Sequence, residues 1–304
     1  MISCKLGKPY FLLPVFTYYS LCLWCWISSI HVEAANDTMK PGDSLSGSDK
    51  LYSQNGTYCL TFMGPRHFYL TISTIYWSVW IANRNQPVVN SSALKLSLDH
   101  SGELKIESQG RKPIILYSPP PPQAAANNST VVATIKDTGN FVVQQLNPDG
   151  STNSVLWQSF DYPTDSLLPG MKLGVVNHKT GYNLSLVSWL SWADPAPGPF
   201  SLEWEPKEGE LIIRRRGQVI WRSGKLRDNR FEHISEDSRV YYTIVSNEDE
   251  DYFTIETSIK EQTRWMILPN GKLVGFKGTL IARADLCYGY NTDGGCQKWE
   301  IPTC

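Results

Sequence analysis

Two aspartates in the stretch WQSFDYPTDSLLPGMKLG, residues 157–174, have a residue type and a spacing that could do chemistry. Asp161 and Asp165 could serve as the acid and the base of a glycoside hydrolase, because that reaction needs two carboxylates flanking the bond that breaks. The same stretch holds two prolines and two glycines. Aspartates in such surroundings commonly accept hydrogen bonds from the backbone amides of turns. We therefore predict that both carboxylates stabilise turns and do not catalyse hydrolysis.

Other groups with catalytic or metal-binding potential are scattered along the chain. The histidines at 67, 100, 178 and 233 are far apart, so we expect polar surface residues and not the ligands of one metal ion. The sequence contains no G-x-S-x-G or H-E-x-x-H motif, no phosphate-binding loop and no kinase signature. A formal net charge of −1 gives no reason to expect nucleic acid as a partner. These observations predict a protein that is not an enzyme and needs no cofactor or metal.

The first 34 residues predict an export signal. Lys5 and Lys8 precede an apolar run, residues 11–30, and small residues follow at a cleavage site after Ala34. The run is about long enough to span a bilayer, so a retained membrane anchor is the alternative. We expect the processed protein to be secreted, and to contact a membrane only if the leader is kept or the chain is a fragment of a longer receptor.

If the chain is exported, the remaining cysteines can form disulfides and several asparagines can be glycosylated. Three cysteines crowd into residues 287–304, which predicts a disulfide-bonded module in an oxidising compartment. Cys59 stands apart, and is either buried and unpaired or bridged to that group. The disulfide candidates are Cys59, Cys287, Cys296 and Cys304. The N-x-S/T pattern predicts N-glycosylation on surface loops at Asn36, Asn55, Asn90, Asn127, Asn128 and Asn183.

Short runs of alternating apolar and polar residues, separated by turns, predict β-hairpins and no long helix. Leu98 and Leu104 flank a turn at Gly102, and the same spacing recurs around Gly139 and, more faintly, Gly271. Such self-similarity indicates an internal repeat. Because repeated hairpins leave exposed edges unless their sheets close on one another, a prism or barrel of similar sheets is expected. The sequence therefore predicts an all-β fold.

The stretch at 157–174 would connect two sets of strands. Its prolines and glycines interrupt regular structure, and Trp157, Phe160 and Tyr162 should anchor it to the core, since each can bury a large surface. Four consecutive prolines at 119–122 predict an extended surface insertion. The arginines at 214–216 predict a solvated hairpin end, with a basic patch for an anionic glycan as the alternative.

Several segments resemble one plant family. Residues 157–174 resemble the segment that closes the bulb-type lectin domain of S-locus glycoproteins and G-type lectin receptor-like kinases. VWIANRNQPV at 79–88 resembles the Trp-x-Ala-Asn-Arg segment of that family, and WRSGKLRDNRF at 221–231 resembles its S-locus-glycoprotein segment. The resemblance runs from about residue 37 to the C-terminus and implies tandem bulb-type lectin-like β-prism domains. The implied organisation is a signal peptide at 1–34, a bulb-type lectin domain at 35–160, a second lectin-like or S-locus glycoprotein domain at 161–285, and the start of a truncated cysteine-rich region at 286–304.

The family binds mannose through the pattern Gln-x-Asp-x-Asn-x-Val-x-Tyr, whose alternate residues point to one face of a strand. Anchored on Gly102 or Gly139, the pattern meets its own residue types only at Asn140 and Val142. Each unmatched hydrogen-bonding group costs about 1–3 kcal/mol. We therefore predict no mannose binding of this kind, and a weak glycan-binding site at most. The ten positions are Asp99, Ser101, Glu103, Lys105 and Glu107, then Lys136, Thr138, Asn140, Val142 and Gln144.

The resemblance also implies a role and partners. Full-length relatives continue into a transmembrane helix and a cytoplasmic serine/threonine kinase. We expect an extracellular recognition protein that binds a protein or peptide ligand or an S-domain receptor kinase, in contexts such as pollen recognition. A carbohydrate ligand and a dimer stay open. The alternatives are a truncated fragment of a receptor kinase, and a glycan-binding lectin with a degenerate site.

Overall fold

The computed structural model describes residues 36–89, 92–120, 130–235, 237, 239–258 and 263–299, which form strands joined by short turns. Helical structure within these ranges is confined to four three-residue 3-10 segments, Ser159–Asp161, Phe276–Gly278, Ala284–Leu286 and Asp293–Gly295. In the described ranges, no helix has the length and apolar character that crossing a membrane requires. The predicted all-β fold is confirmed.

Residues 38–158 form three four-stranded antiparallel sheets, which we call the first prism. The sheets have the strand orders β1-β10-β11-β12, β2-β7-β8-β9 and β3-β4-β5-β6. The strands are β1 (Thr38–Met39), β2 (Ser44–Ser46), β3 (Lys50–Tyr52), β4 (Cys59–Met63), β5 (Tyr69–Ser73), β6 (Ser78–Ile81), β7 (Lys95–Leu98), β8 (Leu104–Glu107), β9 (Ile114–Tyr117), β10 (Thr130–Ile135), β11 (Phe141–Leu146) and β12 (Thr152–Gln158).

Residues 166–282 form three further sheets of four strands, the second prism. Their orders are β13-β22-β23-β24, β15-β14-β21-β20 and β16-β17-β18-β19. The strands are β13 (Ser166–Leu167), β14 (Leu173–Asn177), β15 (Tyr182–Leu184), β16 (Leu186–Ser191), β17 (Asp194–Glu205), β18 (Glu210–Arg215), β19 (Gln218–Arg222), β20 (Val240–Ser246), β21 (Asp251–Thr257), β22 (Trp265–Ile267), β23 (Leu273–Val274) and β24 (Leu280–Ala282). Tandem β-prism domains are thereby confirmed.

Glycine turns shape the predicted hairpins. Leu98 pairs with Leu104 across the β7–β8 turn, and the β10–β11 hairpin repeats that pairing around its own glycine. Gly102 and Gly139 have φ values of 87° and 84°, a left-handed conformation that glycine adopts without steric cost. Each glycine N–H donates to the carbonyl three residues earlier at 3.0 Å. The predicted hairpin around Gly271 is also present.

Two arginines connect the prisms, and each prism supplies one that contacts the other prism. Arg84 follows β6 in the first prism, and its guanidinium donates to three carbonyls of the second, Pro195 O at 2.6 Å, Val187 O at 2.9 Å and Ser188 O at 2.8 Å. Arg84 is buried, and burial lowers its pKa. A planar guanidinium suits this contact because its donors are fixed in a fork.

Arg264 precedes β22 and reaches back to the first prism. Its Nη1 donates to Ser78 O at 3.4 Å, and its guanidinium lies 4.6 Å from the centre of the Trp77 ring. Burial lowers the pKa of Arg264 to about 10. Each of the two arginines therefore contacts the opposite prism, and we call the pair the reciprocal clamp.

The predicted disulfide module is present in part. Cys287 and Cys296 form a disulfide. The loop that they close packs on β19, since Trp221 Nε1 donates to Gly294 O at 2.8 Å. Among the described residues Cys59 forms no disulfide, and burial raises the pKa of this partly buried thiol. The predicted alternative, a bridge from Cys59 to the C-terminal group, stays a prediction for Cys304. Cys304 lies outside the described residues.

Candidate functional site

The two aspartates of the opening stretch occupy different surroundings. Asp161 accepts a hydrogen bond from the side-chain amide of Gln158 at 2.9 Å, and burial raises its pKa. Asp165 is buried, and burial raises its pKa against the opposing charge of Arg84. Asp161 is thus bound by a side chain, whereas Asp165 accepts from its own backbone N–H and from the Thr164 hydroxyl at 3.2 Å. Asp165 lies at the clamp between the prisms, where it offsets positive charge away from solvent.

In the copy of the family's sugar pattern that is anchored on Gly102, the charged side chains form ion pairs with one another. Asp99 accepts hydrogen bonds from Ser101 Oγ at 2.6 Å and from Lys105 Nζ at 2.9 Å, and these lower the pKa of its carboxyl. Lys105 also contacts Glu103 at 3.1 Å. Glu107 is held by Ser97 Oγ at 2.6 Å, which lowers its pKa. The donors and acceptors on this face are therefore occupied by one another.

In the copy anchored on Gly139, the one polar residue that matches the pattern is already hydrogen-bonded within the protein. Asn140 is 9% exposed, and its Nδ2 donates to Gln158 Oε1 at 2.9 Å. Its Oδ1 accepts from Ser159 Oγ at 3.1 Å and from Phe160 N at 3.3 Å. Val142 is only 3% exposed. Asn140, directly before β11, thus uses its side-chain amide to bind the end of β12 and the 3-10 segment that follows it, which the sequence pattern alone did not reveal.

The third sheet of the first prism supplies no substitute site. Its strand β5 occupies the place in the sheet order that β8 and β11 occupy in the other two. Leu70 and Ile72 of β5 face the core. The opposite face carries Tyr69, Thr71 and Ser73, of which only Tyr69 is a residue type of the pattern, so the Gln, Asp, Asn and Val are missing.

A cleft of about 500 Å³ opens where the two prisms meet. Trp157 forms its inner wall, and Tyr162 stacks on that ring with centroids 5.6 Å apart. Trp80 Nε1 donates to Tyr162 O at 2.8 Å and fixes the backbone there. The prediction that Tyr162 is anchored in the core is wrong, because the residue is 49% exposed. Tyr162 is therefore held by Trp157 and is also part of the cleft lining.

The opposite side of the cleft comes from segments that sequence reasoning did not single out as a site. Tyr182 is 43% exposed there, and its hydroxyl donates to Asp161 O at 2.8 Å. Ile115 is 47% exposed on the wall contributed by β9. The part of the sequence that could have pointed to this cleft is the segment at 79–88, because it supplies Trp80 and the buried Arg84 to the lining.

Three of the six predicted glycosylation sites lie among the described residues. Asn36, Asn55 and Asn183 are exposed, and Asn183 lies at the rim of the cleft. The other three glycosylation candidates, Asn90, Asn127 and Asn128, lie outside the described residues. No group of three or more His, Cys, Asp or Glu side chains within the described ranges is arranged to hold a metal ion.

Comparison with known proteins places this geometry in a family. The D-mannose binding lectin family model matches residues 78–190. The G-type lectin S-receptor-like serine/threonine-protein kinase CES101 of Arabidopsis thaliana is 37% identical over 229 residues, which are 71% of this chain and 26% of that protein. The chain belongs to the S-locus and G-type lectin ectodomain family.

Further relatives of this G-type lectin chain show the same pattern of coverage. Receptor-like serine/threonine-protein kinase SD1-7 of Arabidopsis thaliana is 31% identical over 286 residues, covering 86% of this chain and 32% of that protein. The chain thus spans about a quarter to a third of the length of these kinases. Among solved structures, the two-domain fetuin-binding lectin of Scilla campanulata covers 77% of this chain at 12% identity, with a TM-score of 0.27. It is matched over 94% of its own length.

Proposed function

We propose that this chain is a non-catalytic extracellular recognition module that binds a protein or peptide ligand or a partner receptor. One observation carries the proposal. The only polar residue that matches the family's mannose pattern, Asn140, uses its side-chain amide on Gln158, Ser159 and Phe160. A sugar hydroxyl would have to displace those bonds, and a buried group left without its partner costs about 1–3 kcal/mol. Recognition is therefore assigned to other surfaces.

Exposed aromatic residues and the cleft support recognition of a polypeptide. Tyrosine and tryptophan are enriched among the residues that dominate binding at protein interfaces, and each buries a large area. The export leader and the receptor-kinase relatives favour an extracellular place of action. The domain limits at residues 34, 160 and 285 belong to the same proposal, as does secretion of the mature protein.

A glycan array tests the proposal against the lectin alternative. The secreted protein is applied to mannose and mannose-rich glycans, with a known mannose-binding lectin as the positive control. We expect no saturable binding. Saturable mannose binding that is abolished by Asn140→Ala, while the variant keeps a wild-type circular dichroism spectrum, would establish the lectin reading and refute the proposal.

Sequencing of the complete transcript tests the fragment alternative. An open reading frame that continues past residue 304 into a transmembrane helix and kinase motifs would assign the chain to a receptor kinase. A stop codon at that point would assign it to a secreted protein that acts through a partner. In both cases the recognition surface is the one carried by the two prisms.

A further inference from the structure

Two edge strands, one from each prism, border the same cleft. Strand β9 lies at the end of the order β2-β7-β8-β9, and β15 lies at the end of β15-β14-β21-β20. Ile114, Ile115 and Leu116 of β9 line the cleft, as do Tyr182, Asn183 and Leu184 of β15. An edge strand pairs with its sheet on one side only, so alternate N–H and C=O groups point away from the sheet.

The outward backbone groups of these strands have no backbone partner among the described residues. Within the described residues, the backbone of Ile114–Tyr117 bonds only to β8, and that of Tyr182–Leu184 bonds only to β14. Proteins usually guard exposed edges with charged side chains or bulges that face outward. Strand β9 reads Ile-Ile-Leu-Tyr and carries no charge. The β8–β9 pairing has one irregularity, between Leu104 and Lys105, which leaves Leu116 without a direct partner. The regular part of the edge, at Ile114 and Ile115, has neither a charge nor a bulge and can accept an additional strand.

The side chains of the cleft define what kind of chain would fit. Ile115, Tyr162 and Tyr182 are each about half exposed and offer apolar surface. Asn85 and Gln86 add uncharged amides, and Arg84, the one charged residue in the lining, is buried with all of its bonds directed to the second prism. A charged ligand would find no counter-charge here. An uncharged segment with apolar side chains at alternate positions is complementary.

We propose that the cleft binds an extended, uncharged peptide segment as an additional strand on β9, with its alternate side chains against Tyr162 and Tyr182. This inference rests on the proposed recognition function and names the site for it. Strand addition obtains affinity from main-chain hydrogen bonds and specificity from pockets for alternate side chains. A volume of about 500 Å³ lies within the range of ligand pockets.

Panning of a phage-displayed library of random heptapeptides on the secreted full chain tests the inference. We expect enriched peptides without Asp, Glu, Lys or Arg at their centre. Ile115→Lys places a charge at the β9 edge and should weaken binding of a synthetic enriched peptide by about tenfold or more, the loss produced when one or two hydrogen bonds fail to form. Methylation of alternate amide nitrogens of the peptide should abolish binding for one set and spare the other.

Val155→Lys is the matched control. Val155 is 51% exposed on β12, which is also an edge strand, but it does not line the cleft. Binding should be unchanged by Val155→Lys. If Ile115→Lys lowers the thermal midpoint, Tyr182→Ala supplies a second test from the other wall, with the same expected loss.

Three results would overturn the inference, and they differ in what they say of the proposed function. Enriched peptides that bind Ile115→Lys and Tyr182→Ala as tightly as wild type, or that tolerate methylation at every amide, would exclude strand addition at this cleft while leaving peptide recognition standing. A library that gives no enrichment also overturns it. Glycan binding that is lost in Ile115→Lys would instead make the cleft a carbohydrate site, and would refute both the strand addition and the proposed function.

Discussion

At the residue scale, a few hydrogen bonds within the protein decide whether a residue of the mannose pattern is available to bind a sugar. The sequence correctly predicted that the mannose pattern is broken, because the residue types are visible in it. It did not predict that Asn140 is consumed by Gln158 and Ser159, since those residues lie 18 and 19 positions away and meet it only in the folded sheet. The sequence therefore shows which hydrogen-bonding groups are present, and the fold shows which of them are already bonded to other parts of the protein.

Asp99→Asn should destabilise the protein in a pH-dependent way. The Ser101 and Lys105 hydrogen bonds lower the pKa of Asp99 below its ordinary value, so its contribution is full above the unfolded-state pKa of about 3.9 and is lost as pH falls through the folded-state pKa. We expect a loss of about 1 kcal/mol at pH 7. Urea unfolding at pH 7 and at pH 3 should show the difference from wild type shrinking at the lower pH.

Asp149→Asn is the control for this change. Asp149 accepts hydrogen bonds from the backbone N–H and the hydroxyl of Ser151, as Asp99 does from Ser101, and these lower its pKa. Among the described residues, Asp149 has no counterpart of the Lys105 contact or of the Glu103 N–H that also bonds Asp99. Its replacement should have the smaller effect, and added salt should reduce the Asp99 effect more. Equal effects of the two variants, or a constant Asp99 effect at all pH values, would contradict the role given to Lys105.

At the scale of elements, local turns were predictable and distant pairings were not. Glycines at fixed offsets within alternating runs predicted the β7–β8, β10–β11 and β22–β23 hairpins, because a left-handed turn residue and its flanking apolar residues are adjacent in sequence. The pairing of β1 with β10 joins Thr38 to Thr134. No short-range pattern encodes that choice, which depends on closing the prism.

Gly139→Ala should destabilise the protein more than Gly102→Ala. Both positions have a positive φ, so each change carries a backbone cost of about 1–2 kcal/mol. A Cβ at 139 would lie 2.8 Å from both Leu168 Cδ1 and Tyr58 Cε1, whereas at 102 the nearest atom is Val131 Cγ1 at 3.5 Å. Overpacking should add about 1–3 kcal/mol at position 139.

Thermal and urea unfolding of the two glycine variants measure this difference. Each variant serves as the control for the other, because the turn type and the substitution are the same. Equal destabilisation would mean that Leu168 and Tyr58 move aside without cost, and that the contact between the β10–β11 turn and the segment following β13 is loose.

At the scale of the whole molecule, the prisms are united by buried charge. The sequence showed a Trp-x-Ala-Asn-Arg segment and, separately, an arginine before β22, with nothing to connect them. Their reciprocal contacts, Arg84 on three carbonyls and Arg264 on Ser78 and Trp77, depend on how the two prisms pack. Such contacts span up to 186 residues, which explains why composition and spacing did not reveal them.

Arg84→Lys should lower stability by about 2–4 kcal/mol. One ammonium cannot replace the fork that serves three carbonyls, so at least one buried acceptor is left without its donor. We expect urea unfolding to become less cooperative as the prisms unfold separately, which tryptophan fluorescence and circular dichroism would report as non-coincident transitions.

Arg66→Lys is the matched control for the clamp. Arg66 is an exposed arginine in the turn between β4 and β5, so the same substitution should leave unfolding unchanged. If Arg84→Lys behaved like Arg66→Lys, the three short contacts would contribute little, and the prisms would be held together by apolar packing alone.

The acceptors that Arg84 uses have an evolutionary consequence. Pro195, Val187 and Ser188 present main-chain oxygens, which every amino acid possesses. Replacement of their side chains over generations leaves those oxygens available, provided that the backbone path is kept. Descendant sequences can therefore diversify the second half of the molecule without losing its attachment to the first.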